Sequence, residues 1–123
     1  MHCYSGSKEL VNEFIKLGMY ISLGGPVTFT NAVTPKEVAK YVPLDKLLVE
    51  TDSPYLTPHP NRGKTNEPKY IPLVVSQIAA LKGLPFEEIS EVTFSNACRL
   101  LKIKWNIKYI KYETRGKKWD SSR

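Results

Sequence analysis

Two stretches carry residue types able to hold a divalent metal: "MHCYSGS", with His2, and "ETDSPYLTP", with Asp52. An imidazole and a carboxylate together suit borderline or hard divalent cations, and a carboxylate also accepts a proton from water. Each residue has an ordinary alternative. His2 can be a frayed terminal side chain, and Asp52, before Ser53 and Pro54, can be a turn or N-cap residue. Glu50 reads as a supporting partner of Asp52, or as half of an ion pair with a neighbouring basic side chain. The two cysteines, Cys3 and Cys98, have neither disulfide nor zinc-knuckle spacing and are expected to be reduced, small apolar residues.

Bringing His2 and Asp52 together falls to the elements between and around them. "SKELVNEFIKLG" sets Leu10, Val11, Phe14, Ile15 and Leu17 on one side at helical spacing and ends on Gly18, which predicts an amphipathic helix from Ser7. "MYISLGG" reads as a short buried strand running into a flexible loop. "TPKEVAKYV" predicts a second helix, with Thr34 as N-cap, Pro35 at the first helical position and Glu37 completing a capping box. After Pro43, "DKLLVETD" holds the uninterrupted apolar run from Leu47 to Val49, as in strands of a parallel sheet buried on both faces. Residues 53–68, with Pro54, Pro58, Pro60, Gly63 and Pro68, form a long irregular stretch of the kind that is usually functional or disordered. "KYIPLVVSQIAALKG", with Pro72 in its first turn, and "PFEEISEVTFSNACRLLKI" read as two closing helices.

Alternation of strands and helices implies parallel strands joined by right-handed crossovers. Ligand sites in such folds lie at the carboxyl ends of the strands. Small and polar residues gather at three such ends, "HCYSGS", "SLGGPVTF" and "ETDSPYLTP", so His2 and Asp52 are expected to face a common centre. Two strands and a stub cannot close an independent parallel sheet. The chain therefore reads as the C-terminal part of a larger α/β domain.

Composition agrees with a globular chain: 41% of the 123 residues are hydrophobic and 24% charged. No run approaches the roughly 18 apolar residues of a membrane span, and the start lacks a secretory pattern. A soluble, cytoplasmic protein with no membrane partner is expected, or a nuclear one in a eukaryote. The net charge of +6 is unevenly spread. Residues 1–103 hold 11 Lys/Arg against 10 Asp/Glu, and residues 104–123 hold 7 against 2. The globular part thus carries no strong electrostatic sign of nucleic acid. The tail, where Trp105, Ile107 and Tyr109 give a weak strand signal, has two readings. It is either a stacking and phosphate-binding appendage or a flexible extension with no selected role.

Four segments, "HCYSGS", "LGMYISLGGPVTF", "PLDKLLVETDSPYLTP" and "RGKTNEPKYI", occur in an order and spacing that resembles the TatD-type metal-dependent deoxyribonucleases of the amidohydrolase-like barrel group. The resemblance runs from His2 to about Ile103 and ends in "SNACRLLKI", which is similar to the family's closing helix. It implies an α/β fold, part of a (β/α)8 TIM-type barrel from the end of strand six through strand eight and the closing helices. Residues 1–103 would form this partial barrel and residues 104–123 a basic, aromatic-containing tail. The cofactor implied is a divalent metal ion, Mg, Mn or Zn, and the partner is a DNA substrate cleaved at a phosphodiester. On the resemblance, His2 falls on the metal-binding histidine that ends strand six. Asp52 falls on the carboxylate that ends strand eight, at the metal and its nucleophilic water.

The same resemblance gives Arg62, Lys64 and Asn66 substrate-binding roles, through phosphate or loop-anchoring contacts. Gly24 and Gly25 allow close approach to a ligand or serve a strand-ending turn, and Glu67 with Pro68 starts the next helix. The family's ligands on its earlier strands have no counterparts here, which leaves two metal ligands. The chain alone is expected to be inactive. Open strand edges and bare apolar faces at Leu10, Phe14, Val74 and Ile78 are expected to cause marginal stability and self-association. Two other readings remain open: a non-catalytic remnant or nucleic-acid-binding module acting through the tail, and a small-molecule hydrolase of the same barrel group.

Overall fold

Two short parallel strands, β1 (Ile21–Leu23) and β2 (Leu47–Val49), centre a computed structural model that describes residues 1–104. Ile21 pairs with Leu47, Ser22 with Leu48 and Leu23 with Val49. Because side chains alternate along a strand, Ile21, Leu23, Leu47 and Val49 share one face of the sheet. Ile21, Leu23 and Leu47 are buried in the core. Ser22 and Leu48 share the opposite face, and Glu50 continues it two residues beyond Leu48.

The start of the chain adds a stub to the free side of β1. Ser22 N–H donates to the Met1 carbonyl at 3.0 Å, and Tyr4 N–H donates to the Ser22 carbonyl at 3.0 Å. A regular parallel ladder would pass from Met1 to Cys3, so one residue is extra and the stub is bulged. Cys3 takes the left-handed backbone this requires, with φ 46°.

Helices cover the apolar face. α1 (Lys8–Lys16) ends at Gly18 with φ 81°, as the sequence predicts. α2 (Thr34–Tyr41), α3 (Ile71–Lys82) and α4 (Phe86–Leu101) follow, and α3 and α4 pack on each other and on β2. The sheet-facing core gathers Val11, Val38, Val74, Ile78 and Ile89, all at most 1% exposed. Val74 and Ile78 correct an expectation: they are not left bare, because α2, α4 and a 3-10 turn at Gly25–Thr28 pack around α3. Leu10 is exposed, and Phe14 is half-buried with its ring edge-on to Tyr4, centroids 5.9 Å apart.

Two local expectations shift. α2 begins one residue earlier than its capping pattern suggests. The Val33 carbonyl accepts the N–H groups of Lys36 and Glu37 at 3.1 and 3.0 Å, which leaves Thr34 inside the helix with no side-chain cap. The segment after β1, expected to be a flexible loop, is the 3-10 turn, and its Gly25, Val27 and Thr28 are buried. Among the described residues no helix is long and apolar enough to cross a membrane. The tail's strand signal and its nucleic-acid role lie outside the described residues.

Candidate metal centre

His2, Glu50 and Asp52 converge where the stub and β2 end side by side across β1. Glu50 N–H still donates to the Leu23 carbonyl at 3.0 Å, so Glu50 is held by the ladder itself. Its side chain points to the Ser22 and Leu48 face, where a cleft of about 520 Å³ is lined by His2, Tyr20, Ser22, Leu48, Glu50 and Leu100. Asp52 lies past the ladder on left-handed backbone, φ 56°, and its carbonyl accepts Tyr55 N–H at 2.8 Å. The turn expected at Asp52 is therefore made by its backbone, and the carboxylate remains directed at His2.

The imidazole faces both acids. Its Nδ1 lies 2.8 Å from Glu50 Oε1, and its Nε2 lies 3.8 Å from Asp52 Oδ1. One donor atom from each of the three residues falls within 4.8 Å of the others. Ligands on one ion at about 2.1 Å stand at most about 4.2 Å apart, so a small side-chain adjustment closes the set. Glu50 gives the test of fit. Its Oε2 accepts the Cys3 N–H at 2.9 Å, whereas the buried Oε1 has, among the described residues, no polar neighbour but the His2 Nδ1, 2.8 Å away. A buried carboxylate oxygen that faces only an imidazole, with a second carboxylate beside them, is a donor set that fits a hard or borderline divalent cation.

The field at the site acts on Cys3. Burial first, then the charges of Glu50 and Asp52, push its thiol above the ordinary range. Cys3 is thus a protonated neighbour of the acids at neutral pH rather than a nucleophile.

Residues 1–102 match the family described as TatD related DNase. The chain belongs to this family. Over 103 residues it is 57% identical to the Bacillus subtilis protein named uncharacterized metal-dependent hydrolase YabD, covering 84% of this chain and 40% of that one. It is 48% identical to the Escherichia coli K12 hydrolase YcfH over the same length, with 39% of that protein covered. The crystal structure of YJJV, a TatD homologue from Escherichia coli K12, superposes with a TM-score of 0.78 at 30% identity, over 85% of this chain and 40% of that one. The chain therefore spans about 40% of the length of these TatD-related proteins.

The other residues singled out in this TatD-related sequence take different places. Arg62 is exposed, stacks on the Phe29 ring with its guanidinium carbon 3.9 Å from the centroid, and donates to the Thr57 carbonyl at 3.4 Å. The Lys64 side chain is exposed, while its carbonyl accepts the Thr57 hydroxyl at 2.5 Å. Asn66 is buried and makes loop-anchoring contacts, donating to the carbonyls of Thr51 and Tyr55 at 2.6 and 2.7 Å. Gly24 and Gly25 allow close approach within the chain: a Cβ on Gly25 would lie 1.8 Å from the Leu56 carbonyl oxygen. Glu67 caps the 3-10 turn Pro68–Tyr70 ahead of α3.

Glu50 is the site residue that the sequence reading undervalued. Of its two readings, the pairing with a basic side chain is the one the structure shows, His2 being the partner at 2.8 Å. The spacing of Leu48 and Glu50 at i and i+2 already placed Glu50 on the open face of β2. What the sequence did not show is the bulge at Cys3, which turns the stub toward that face.

Proposed function

We propose that this chain is the C-terminal portion of a metal-dependent deoxyribonuclease. It would supply the end of strand six through strand eight, and the closing helices, of a (β/α)8 barrel. The observation that carries this reading is the meeting of His2, Glu50 and Asp52 at neighbouring strand ends in a member of the TatD-related family.

His2, through a ring nitrogen, and the carboxylates of Glu50 and Asp52 would hold a divalent ion, Mg, Mn or Zn. Bound there, the ion supplies Lewis acidity toward water and a phosphoryl oxygen. Asp52, the more exposed of the two acids, is placed to accept the proton of the attacking water. Glu50, anchored by the Cys3 N–H, fixes the imidazole from the buried side. Arg62 and Lys64 present exposed cations on the loop after β2 and are proposed to contact DNA phosphates. The chain spans about 40% of the length of its relatives, so activity is assigned to a domain of which this chain forms one part. Self-association through the outer edge of β2 is proposed for the chain alone, to be read by sedimentation.

The test is complementation. The 123-residue chain is assayed on DNA with each metal, alone and with a polypeptide equivalent to the preceding part of the Bacillus subtilis relative. Cleavage in the complemented mixture, lost with Asp52→Asn, is the expected result. A complemented mixture that leaves DNA intact would overturn it.

The charge of residues 104–123 supports a second reading, a nucleic-acid-binding module that does not cleave. Deleting these residues then removes DNA binding together with its salt dependence. Unchanged binding after the deletion overturns that reading.

A further inference from the structure

Asp52 holds a left-handed backbone, φ 56°, without being glycine. Such a conformation persists where its surroundings over-determine it. The surroundings here converge on one side chain. Asn66 is 3% exposed, and its Nδ2 donates to the carbonyl of Thr51, just before Asp52, and to that of Tyr55, just after the turn, at 2.6 and 2.7 Å. Its backbone N–H donates to the Pro54 carbonyl at 3.0 Å. Asn66 thus grips the chain on both sides of Asp52, and the turn is closed by Tyr55 N–H on the Asp52 carbonyl at 2.8 Å.

We propose that Asn66 is a positioning residue for Asp52: its carboxamide clamps residues 51 and 55 and thereby aims the Asp52 carboxylate at His2. The proposal rests on the reading of Asp52 as a metal ligand. A primary amide suits the task because a single nitrogen offers two N–H donors to two carbonyls. Aspartate would set acceptors against acceptors, serine offers one donor, and leucine fills similar space with none. The nitrogen alone sets the orientation, since the buried Oδ1 has no hydrogen-bond partner. Both acceptors are backbone carbonyls, so the clamp takes up neither oxygen of the Asp52 carboxylate.

The experiment uses the full 123-residue chain with Asn66→Leu, Asn66→Ser and His2→Ala, and reads amide hydrogen exchange and Mn²⁺ binding by titration. In Asn66→Leu, exchange at Tyr55 N–H should accelerate at least about tenfold, and Mn²⁺ affinity should fall about 10- to 100-fold, as when partners of metal ligands are removed. Protection at Ile78 and Ile89, in α3 and α4, should stay at the wild-type level. Asn66→Ser, with one donor kept, should fall between and replaces the leucine variant if that loses helix protection. His2→Ala should weaken Mn²⁺ binding and leave Tyr55 exchange unchanged. Unchanged Tyr55 exchange, or unchanged Mn²⁺ affinity, in the Asn66 variants overturns the proposal. A wild-type chain that binds no Mn²⁺ overturns the metal reading instead, and the exchange rates, which need no metal, still decide whether Asn66 holds the Asp52 turn.

Discussion

Glu50 Oε2 accepts the backbone N–H of Cys3 at 2.9 Å, a bond that ties the end of β2 to the bulge carrying His2. It gives Glu50 two separable jobs, one for each oxygen. Glu50→Gln keeps an acceptor for Cys3 N–H but replaces a charged oxygen at the imidazole, so metal affinity should fall at least about tenfold with folding stability little changed. Glu50→Ala removes both, and the lost charged hydrogen bond should lower stability by about 1.5–3 kcal/mol as well. Urea denaturation and Mn²⁺ titration on the two variants separate the effects. Equal stability loss in both would argue against the division.

Cys3 reports the same charges through its own titration. Burial, then Glu50 and Asp52, raise its pKa above the ordinary 9.0. A raised folded-state pKa adds stability that is fully present below the unfolded value and is lost as pH rises through the folded value. Stability should therefore decline above about pH 9, and Cys3→Ser should remove that part of the alkaline slope. Iodoacetamide should label Cys3 at pH 8 more slowly than a small model thiol. Fast labelling would show a thiolate that the neighbouring acids do not permit.

Asn96 fixes the other end of β2. Fully buried on α4, it donates from Nδ2 to the carbonyls of Leu44 and Leu47 at 2.7 and 2.8 Å. Asn96→Leu keeps the volume and leaves the Leu47 carbonyl unpaired beside the core, while the Leu44 carbonyl keeps the Leu47 N–H, so stability should drop by about 1–3 kcal/mol. The urea midpoint is the measurement, and a change below about 1 kcal/mol would mean that water reaches the Leu47 carbonyl.

The alternation of elements was legible because each apolar run is bounded by glycine or proline, as at Gly18, Gly24 and Pro43, and the periods of helix and strand differ plainly. His2 and Asp52 were legible as a pair because both end a strand on the same side of a parallel sheet. For Glu50 an ion pair with a basic side chain was legible but its partner, His2, was not, since that partner lies at the far end of the chain and depends on a bulge with no glycine to mark it. Asn66 was named, with loop anchoring as one of its two readings, but its partners were hidden: it bonds to backbone carbonyls, which every residue carries, so no local pattern names them. The capping pattern at Thr34 misled by one residue because the Val33 carbonyl took the N–H that the pattern assigns to a side chain.

The loop after β2 is seated on the turn after β1, and Gly25 makes that seat possible. His59 N–H donates to the Thr28 hydroxyl at 2.8 Å, that hydroxyl donates to the Gly25 carbonyl at 2.6 Å, and Arg62 covers Phe29. A Cβ on Gly25 would lie 1.8 Å from the Leu56 carbonyl oxygen, a backbone atom that cannot rotate away. Gly25→Ala must therefore push residues 56–59 off the turn, at a cost of about 1–3 kcal/mol from overpacking. Arg62 would leave Phe29 with them, so Arg62→Ala should add little to the loss in the double variant, whereas alone it should cost at most about 1 kcal/mol. Urea denaturation of the two single variants and the double variant measures this coupling, and fully additive losses would show that the seat at Gly25 and the Arg62 stack are independent.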